Sequence, residues 1–555
     1  MSDRHFAHWP RGLPKHLTIP ATSLSFNVEV SAERFPDKPF LVFYDSQIDF
    51  RRFRDETRRL AGWLEHEAGV RRGDRVLLYL QNSPQFVIGY YAILRANAVV
   101  VPVNPMNLTA ELRHYVADCG AKVAIAAQEL YPQVRPLLGD GLDRVLVATY
   151  SDYLAAATDL KVPDFVAAPR MALADAGATA WVAALEANLH PGPSMAGPGD
   201  LCVMPYTSGT TGRPKGCVHT HRSVMYNVVA GQQWFGITQD ATTLAVLPFF
   251  HVTGMQGSMN GPLYTGGTVV LLPRWDRVVA AQLIERYRVT SWTAIPTMVI
   301  DLLANPSLDP RALASIQRMS GGGAAMPEAV AQRLRDLCGI EYVEGYGLSE
   351  TIAPTHINPP QRPKKQCLGI PIFDTEARVV DLETLREQRA GEGGEIVVRG
   401  PQVFEGYWND EAGTRAAFVE IDGQRFFRTG DLGTVDEDGY FFIVDRLKRM
   451  INASGYKVWP AEVEAMLYAH PAVQEACVIA ARDAHRGETV KAVVVLRAGQ
   501  RGKVAEDDIV AWARRQMAAY KVPRQVQFVD ALPRSATGKV QWRQLQDAEL
   551  GRHRG

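Results

Sequence analysis

The chain has 555 residues, of which 46% are hydrophobic and 22% charged, an ordinary globular usage that excludes wholesale disorder, collagen and a pure coiled coil. Sixty Lys+Arg balance sixty Asp+Glu, so the whole molecule has no net attraction for nucleic acid or an anionic membrane. The six cysteines, Cys119, Cys202, Cys217, Cys338, Cys367 and Cys477, form no Cys-x-x-Cys pair, so zinc-ribbon and thioredoxin readings fail and a reducing, cytoplasmic compartment is expected.

The first seventeen residues hold no apolar stretch, so no secretory signal is expected. Residues 47–68 carry helical periodicity, 75–80 read as a short buried strand, and Pro84–Arg95 reads as a helix with Ser83 as N-cap and Pro84 as first helical residue. The most apolar stretch, 86–103, is interrupted by Arg95 and Asn97; it reads as a buried helix running into the strand 99–103, not as a membrane span. A helix over 110–119 and a strand over 122–126 follow, and strand signals recur at 242–247, 268–272, 291–295 and 341–344. Strands alternating with helices imply βαβ units and a mostly parallel sheet. Residues 150–197, rich in Ala, Pro and Gly, read as a loose peripheral excursion.

From about residue 367 the texture changes to short strands and turns at 377–381, 394–399 and 439–444, which suggests a smaller β-rich lobe. Helix 460–469, strands 475–480 and 490–496 and helix 506–517 then describe a compact α+β domain. The expected fold class is therefore α/β: a large N-terminal domain of mostly parallel sheets with helices and a β-rich lobe, followed by a small α+β C-terminal domain. From Arg449 to the end there are seventeen Lys+Arg against eleven Asp+Glu. A basic lobe beside an acidic body could draw in a polyanionic small molecule, although two unevenly charged solvated surfaces explain the count as well.

The sharpest segment is Thr207-Ser208-Gly209-Thr210-Thr211-Gly212-Arg213-Pro214-Lys215-Gly216. Its glycines bring backbone N–H groups close to phosphate oxygens, its hydroxyls add donors and Lys215 adds charge. The Walker A spacing fails, because Gly209 and Gly212 are too close and Gly216 follows Lys215. By composition alone the segment is a Ser/Thr/Gly surface loop.

The full string resembles the phosphate-binding signature of the adenylate-forming superfamily, which includes acyl-CoA synthetases, firefly-type luciferases and the adenylation domains of peptide synthetases. Further segments extend the resemblance in order along residues 24–545. In the small-residue run 320–327 it implicates Gly322, Gly323 and Ala324 in the adenine and acyl sites, where a tight turn is the plainer reading. In Glu344-Gly345-Tyr346-Gly347-Leu348-Ser349-Glu350-Thr351 it makes Tyr346 the adenine-stacking residue, Ser349 an α-phosphate contact and Glu350 the Mg²⁺ carboxylate. Ser349 as a helix N-cap competes for the Ser-Glu pair. In 428–433 it makes Asp431 the acceptor for both ribose hydroxyls, with a plain Gly-Asp turn as the alternative. In 445–449 it places Arg446 on the ribose or phosphate and a hinge at Lys448, against the reading as a charged linker. In 532–539 it makes Lys539 the adenylation lysine, neutralising charge on the α-phosphate; acetylation of Lys539 would then switch adenylation off.

His251 sits in 248–254 among apolar residues, where a lone His is more often core than catalytic; the resemblance places it at the acyl-site wall with Met255. It places Gly455 and Lys457 of 453–457 at the pantetheine tunnel. His219 and His221 read as structural, no His/Cys cluster has metal-ligand spacing, and nothing activates Cys202 or Cys217 as nucleophiles. The resemblance implies residues 1–445 as the AMP-binding (adenylation) domain, 446–448 as hinge and 449–555 as a mobile C-terminal domain. It implies an ATP-dependent acyl-CoA synthetase with Mg²⁺ as cofactor and ATP, CoA and a small carboxylic acid as partners, and leaves the oligomeric state open. Apolar Val252, Met255 and the small residues 320–325 point to a medium- or long-chain fatty acid. An aryl acid, a carrier protein as acyl acceptor, a luciferase-type oxygenase and a non-catalytic nucleotide-binding relative remain as alternatives.

Overall fold

The computed structural model describes residues 3–207, 214–323, 325–446, 449–453, 456–483, 487–535 and 539–552. The chain divides into two compact units, one formed by His5–Glu376 with Arg399–Glu420, the other by Met1–Arg4, Ala377–Val398 and Ile421–Gly555.

The larger unit is built on two sheets. In the first, nine described strands run in the order Ile370–Pro371, Ala353–Ile357, Tyr342–Leu348, Arg318–Gly321, Ser291–Thr293, Thr242–Ala245, Thr268–Leu271, Pro39–Phe43 and Ser46–Asp49. The six strands from Tyr342–Leu348 to Pro39–Phe43 are parallel, with registers such as Leu41↔Val269, Leu244↔Trp292 and Ser320↔Val343. The second sheet orders Gly406–Tyr407, Lys215–Thr220, Leu201–Val203, Val99–Pro102, Arg75–Tyr79, Val123–Ala127, Arg144–Ala148 and Ala178–Ala180. Its strands from Leu201–Val203 to Ala178–Ala180 are parallel. Strands buried on both faces need continuous apolar runs, and Arg75–Tyr79 and Val99–Pro102 supply them.

Helix Pro84–Arg95 begins as its sequence predicts: the Ser83 side chain accepts from the Phe86 N–H and Pro84 opens the first turn. It is buried along nearly its whole length. Asn82 just before it donates to the Leu247 carbonyl at 2.9 Å and accepts from the Phe249 N–H at 2.8 Å, and the Tyr91 hydroxyl donates to Asn260 at 2.8 Å. The Asn82 bonds join the turn after a second-sheet strand to the end of a first-sheet strand, and the Tyr91 bond ties the helix to segment Met255–Asn260. The core between them includes Trp292, stacked on Trp275 at 5.7 Å between ring centres; each Leu, Ile or Phe side chain fully buried there contributes about 1.5–3 kcal/mol.

Residues 150–197 are more integrated than their composition suggests. They add strand Ala178–Ala180 to the second sheet, in register Leu146↔Thr179, and bury Trp181, whose indole N–H donates to the Tyr153 hydroxyl at 3.0 Å. A three-residue edge strand leaves too short an alternation to be seen in sequence.

The smaller unit holds the strands Glu376–Val380, Gly394–Arg399, Gln424–Val435 and Phe441–Arg446, the β-rich lobe expected from residue 367 onward. It also holds a sheet of Tyr456–Val458, Ile451–Ala453, Gly487–Leu496 and Val473–Asp483, with Gln525–Phe528 parallel to Gly487–Leu496. Helices Pro460–Leu467 and Glu506–Gln516 complete the expected α+β part. No described helix is long and apolar enough to cross a membrane.

Candidate functional site

The segment 207–216 is held by its two ends. Tyr206–Thr207 pairs antiparallel with Lys215–Thr220, with Thr207 opposite Lys215. Helix Thr109–Cys119 reaches both flanks: the Tyr206 hydroxyl donates to Asp118 at 2.5 Å, and the His114 Nε2–H donates to the Pro214 carbonyl at 2.9 Å. Ser208, Gly209, Thr210, Thr211 and Gly212 lie outside the described residues. Lys215 pairs with Asp410 at 2.6 Å, and its ammonium stands 5.0 Å from the centre of the Tyr407 ring. The Tyr407 hydroxyl donates to Glu350 Oε1 at 2.9 Å. Strand Gly406–Tyr407 aligns against Cys217 and Val218, which sets Tyr407 and Asp410 beside the start of the Lys215 strand.

The strand Tyr342–Leu348 and its return Ala353–Ile357 carry the second set of candidates. Gly322 is needed for packing: a Cβ there would collide with the Gly345 carbonyl oxygen, and Gly323 takes φ +86°. Glu344 is buried and ties this loop down, accepting from the Met326 N–H at 2.7 Å and the Cys367 N–H at 3.2 Å. Burial pushes its carboxyl up, against the pull of those N–H groups. The Tyr346 ring is mostly buried and packs at a tilt 5.7 Å from His356. Ala324 lies outside the described residues.

Ser349 is not a helix N-cap. Ser349–Thr351 is a single 3₁₀ turn in which Leu348 holds the cap position and Thr351 Oγ1 accepts from the Leu348 N–H at 2.9 Å. The Ser349 carbonyl accepts instead from Nε2–H of the fully buried His219 at 2.7 Å. Burial lowers the His219 pKa to about 4, so the ring that holds this turn is neutral. Immediately after it, Ile352 and Ala353 adopt φ +45° and +85°, a strained conformation for residues with a Cβ and most of all for a β-branched one. The strain falls two residues from the Glu350 carboxylate.

His251 precedes the short helix Val252–Gly254, and its Nδ1 accepts from the Thr253 N–H at 3.4 Å. Met255 is fully buried, with the Tyr90 hydroxyl 3.6 Å from its sulfur, and opens the π-helical segment Met255–Asn260. Cys202 and Cys217 are buried and burial pushes both thiols up, so neither is a ready thiolate.

The remaining candidates belong to the other unit. Asp431 is fully buried on Gln424–Val435 and stands directly opposite Arg446 in the antiparallel register, which brings the two positions onto adjacent strands. Lys539 is exposed: its carbonyl accepts from the Ser535 N–H at 2.8 Å, and its own N–H donates to Ser535 Oγ at 3.2 Å. Lys457 lies on strand Tyr456–Val458, opposite Asn452. Lys448 and Gly455 lie outside the described residues.

Sequence reasoning missed Tyr407, Asp410 and Glu344 as parts of this arrangement. The signal for the first two was the string Gly406-Tyr407-Trp408-Asn409-Asp410, an aromatic and acidic turn far along the chain from the segment it supports. Among the described residues no group of three or more His, Cys, Asp or Glu side chains could hold a metal ion by itself. A single carboxylate such as Glu350 suits Mg²⁺, which takes its other ligands from substrate phosphates and water.

A parallel two-sheet body carrying a Gly/Thr segment whose ends are paired beside a lysine has the form of a nucleotide-handling enzyme. The model for the AMP-binding enzyme matches residues 28–408, and that for the AMP-binding enzyme C-terminal domain matches 462–539. The chain therefore belongs to the AMP-binding enzyme family, on its acid–CoA ligase branch. It is 36% identical to the long-chain-fatty-acid–CoA ligase of Bacillus subtilis (strain 168) across 99% of this chain and 98% of the relative. It is also 36% identical to a feruloyl-CoA synthase of an Amycolatopsis species, across 87% and 90%. Among solved structures, ATP-bound MatB from Rhodopseudomonas palustris superposes with TM-score 0.82 at 28% identity, covering 94% of this chain and 99% of that one. The anthranilate-CoA ligase AuaEII with anthranoyl-AMP gives 0.80 at 26%, covering 98% and 99%. ATP and CoA are the co-substrates that fit this family.

Proposed function

We propose that the chain activates a long-chain fatty acid to its acyl-adenylate and passes the acyl group to CoA, releasing pyrophosphate and then AMP. The observation that carries the acid is the 36% identity over nearly all of both chains to a relative named for long-chain fatty acids. In the first half-reaction a carboxylate oxygen attacks the α-phosphorus of ATP. The segment 207–216 and Lys215 bind the phosphates, Tyr346 and Gly322–Gly323 take the adenine, and Asp431 with Arg446 takes the ribose. Lys539 offsets charge that develops at the α-phosphate. Glu350 would hold Mg²⁺, which supplies charge neutralisation on the phosphates when bound. Ser349 reaches the α-phosphate with its hydroxyl. His251 and Met255 wall the acyl site.

In the second half-reaction the CoA thiol attacks the acyl carbonyl and AMP leaves. Rotation about Lys448, with residues 1–445 on one side and 449–555 on the other, exchanges Lys539 for the 453–457 segment, and Gly455 and Lys457 border the pantetheine path. The six thiols, five of them buried, suit a reducing, cytoplasmic setting.

An aryl acid is the second reading, favoured by the feruloyl-CoA synthase relative. CoA-dependent AMP formation across a panel of C6–C18 fatty acids, benzoate and hydroxycinnamates separates them. We expect kcat/KM to rise with chain length and the aryl acids to trail; turnover confined to aromatic acids contradicts the fatty-acid assignment.

A further inference from the structure

Lys215 and Glu350 are 135 positions apart in sequence, and one short segment touches both. Asp410 holds the Lys215 ammonium at 2.6 Å, and Tyr407 lies beneath that ammonium while donating to Glu350 at 2.9 Å. The pair is largely shielded, with side-chain exposures of 19% for Lys215 and 31% for Asp410. Asp410 is itself oriented: its other oxygen accepts from the Gly413 N–H at 2.7 Å as the N-cap of helix Glu411–Ala416. Gly413 leaves the room, since a Cβ there would collide with Asp410 and come within 2.7 Å of the Lys215 Nζ. Lys215 and the N–H of Gly413 hold the Asp410 carboxyl below the usual carboxylate range, which favours its ionised form.

We propose that Asp410 and Tyr407 are positioning residues that hold the phosphate-binding cation Lys215 and the metal-binding carboxylate Glu350 in one fixed frame. A lysine side chain has four rotatable bonds and loses much rotamer freedom when it is aimed. Asp410 and the Tyr407 ring bear that loss before nucleotide arrives, so Lys215 meets the triphosphate already extended. The Tyr407 hydroxyl does the same for Glu350, one of whose oxygens it fixes. The proposal rests on the reading of 207–216 as a triphosphate site.

Isothermal titration of the full chain with MgATP, with ATP in EDTA and with adenosine tests it. Asp410→Asn keeps the N-cap acceptor but removes the charge that aims Lys215. It is expected to weaken both MgATP and metal-free ATP by about tenfold and to leave adenosine, which has no phosphate, unchanged. Tyr407→Phe keeps the ring beneath Lys215 and removes only the bond to Glu350. It is expected to weaken MgATP by about five- to tenfold while metal-free ATP binds as in the wild type. Asp410→Glu is expected to recover part of the loss in Asp410→Asn.

Unchanged affinities in both variants overturn the proposal. So does tighter ATP binding by Asp410→Asn, which would make Asp410 a competitor of phosphate. An equal loss for adenosine overturns it too, because it would mark a general structural role. A wild-type chain that binds no ATP removes the triphosphate reading itself, a failure distinct from wild-type binding with silent variants.

Discussion

Glu129 shows how a single side chain outside the site sets a property of the fold. It follows strand Val123–Ala127, and burial pushes its carboxyl up to about 7, against the pull of Tyr150 and Arg274. Its ordinary value is 4.5. Between those two pH values the folded chain keeps a proton that the unfolded chain has lost, so this group's contribution to stability falls as pH rises through that window. The penalty approaches about 3 kcal/mol above pH 7. Glu129→Gln has no proton to lose; urea titrations at pH 5, 6, 7 and 8 should show it gaining on the wild type at each step. Parallel curves for the two proteins would mean that the Glu129 pKa is not raised.

Residues with strong local signatures were legible in the sequence, and those defined by distant partners were not. Ser83 and Pro84 start a helix through contacts within three residues, and the Thr207–Gly216 string is local as well. Tyr407 and Asp410 acquire their roles only when Gly406–Tyr407 pairs with the strand after Lys215, and nothing near either residue in sequence announces that pairing. Of the two readings of Ser349, the competing one as a cap does not form: the Leu348 N–H donates to Thr351 Oγ1 and the Ser349 carbonyl accepts from His219.

At the level of elements, the approach of strand Arg318–Gly321 to Tyr342–Leu348 decides the shape of the proposed adenine region. The strands run parallel with Gly321 opposite Glu344, and Gly322 faces the Gly345 carbonyl with no room for a Cβ. Backbone on backbone cannot yield as a flexible side chain does. Gly322→Ala is expected to lower stability by about 1–3 kcal/mol and to weaken ATP binding, read by denaturant titration and by calorimetry on the same preparation. Wild-type values in both would show that the strand ends move apart freely. The buried strands were legible because continuous apolar runs of four or five residues mark them. The edge elements were not: Ala178–Ala180 and Gly406–Tyr407 are three and two residues long, and their places are set by the sheets they join.

For the whole molecule, the candidate residues divide by unit. Thr207, Lys215, Gly322, Tyr346 and Glu350 belong to one, and Asp431, Arg446 and Lys539 to the other. Asp445, just before the proposed hinge, accepts from the Ala461 N–H at 2.7 Å, and Arg449 just after it pairs with Glu464. The α/β class and the small α+β part were legible from the change in texture along the chain. The grouping of residues 377–398 and 421–445 with the C-terminal part was not, because it depends on sheet contacts between segments distant in sequence.

In the proposed reaction a carboxylate oxygen becomes bonded to the α-phosphorus of ATP. Turnover of palmitate labelled with ¹⁸O in both carboxylate oxygens, in the presence of ATP, Mg²⁺ and CoA, tests it by mass spectrometry of the products. The expected products are AMP carrying one ¹⁸O, palmitoyl-CoA retaining the other and pyrophosphate carrying none. Unlabelled AMP, or label in inorganic phosphate alongside ADP, would contradict it.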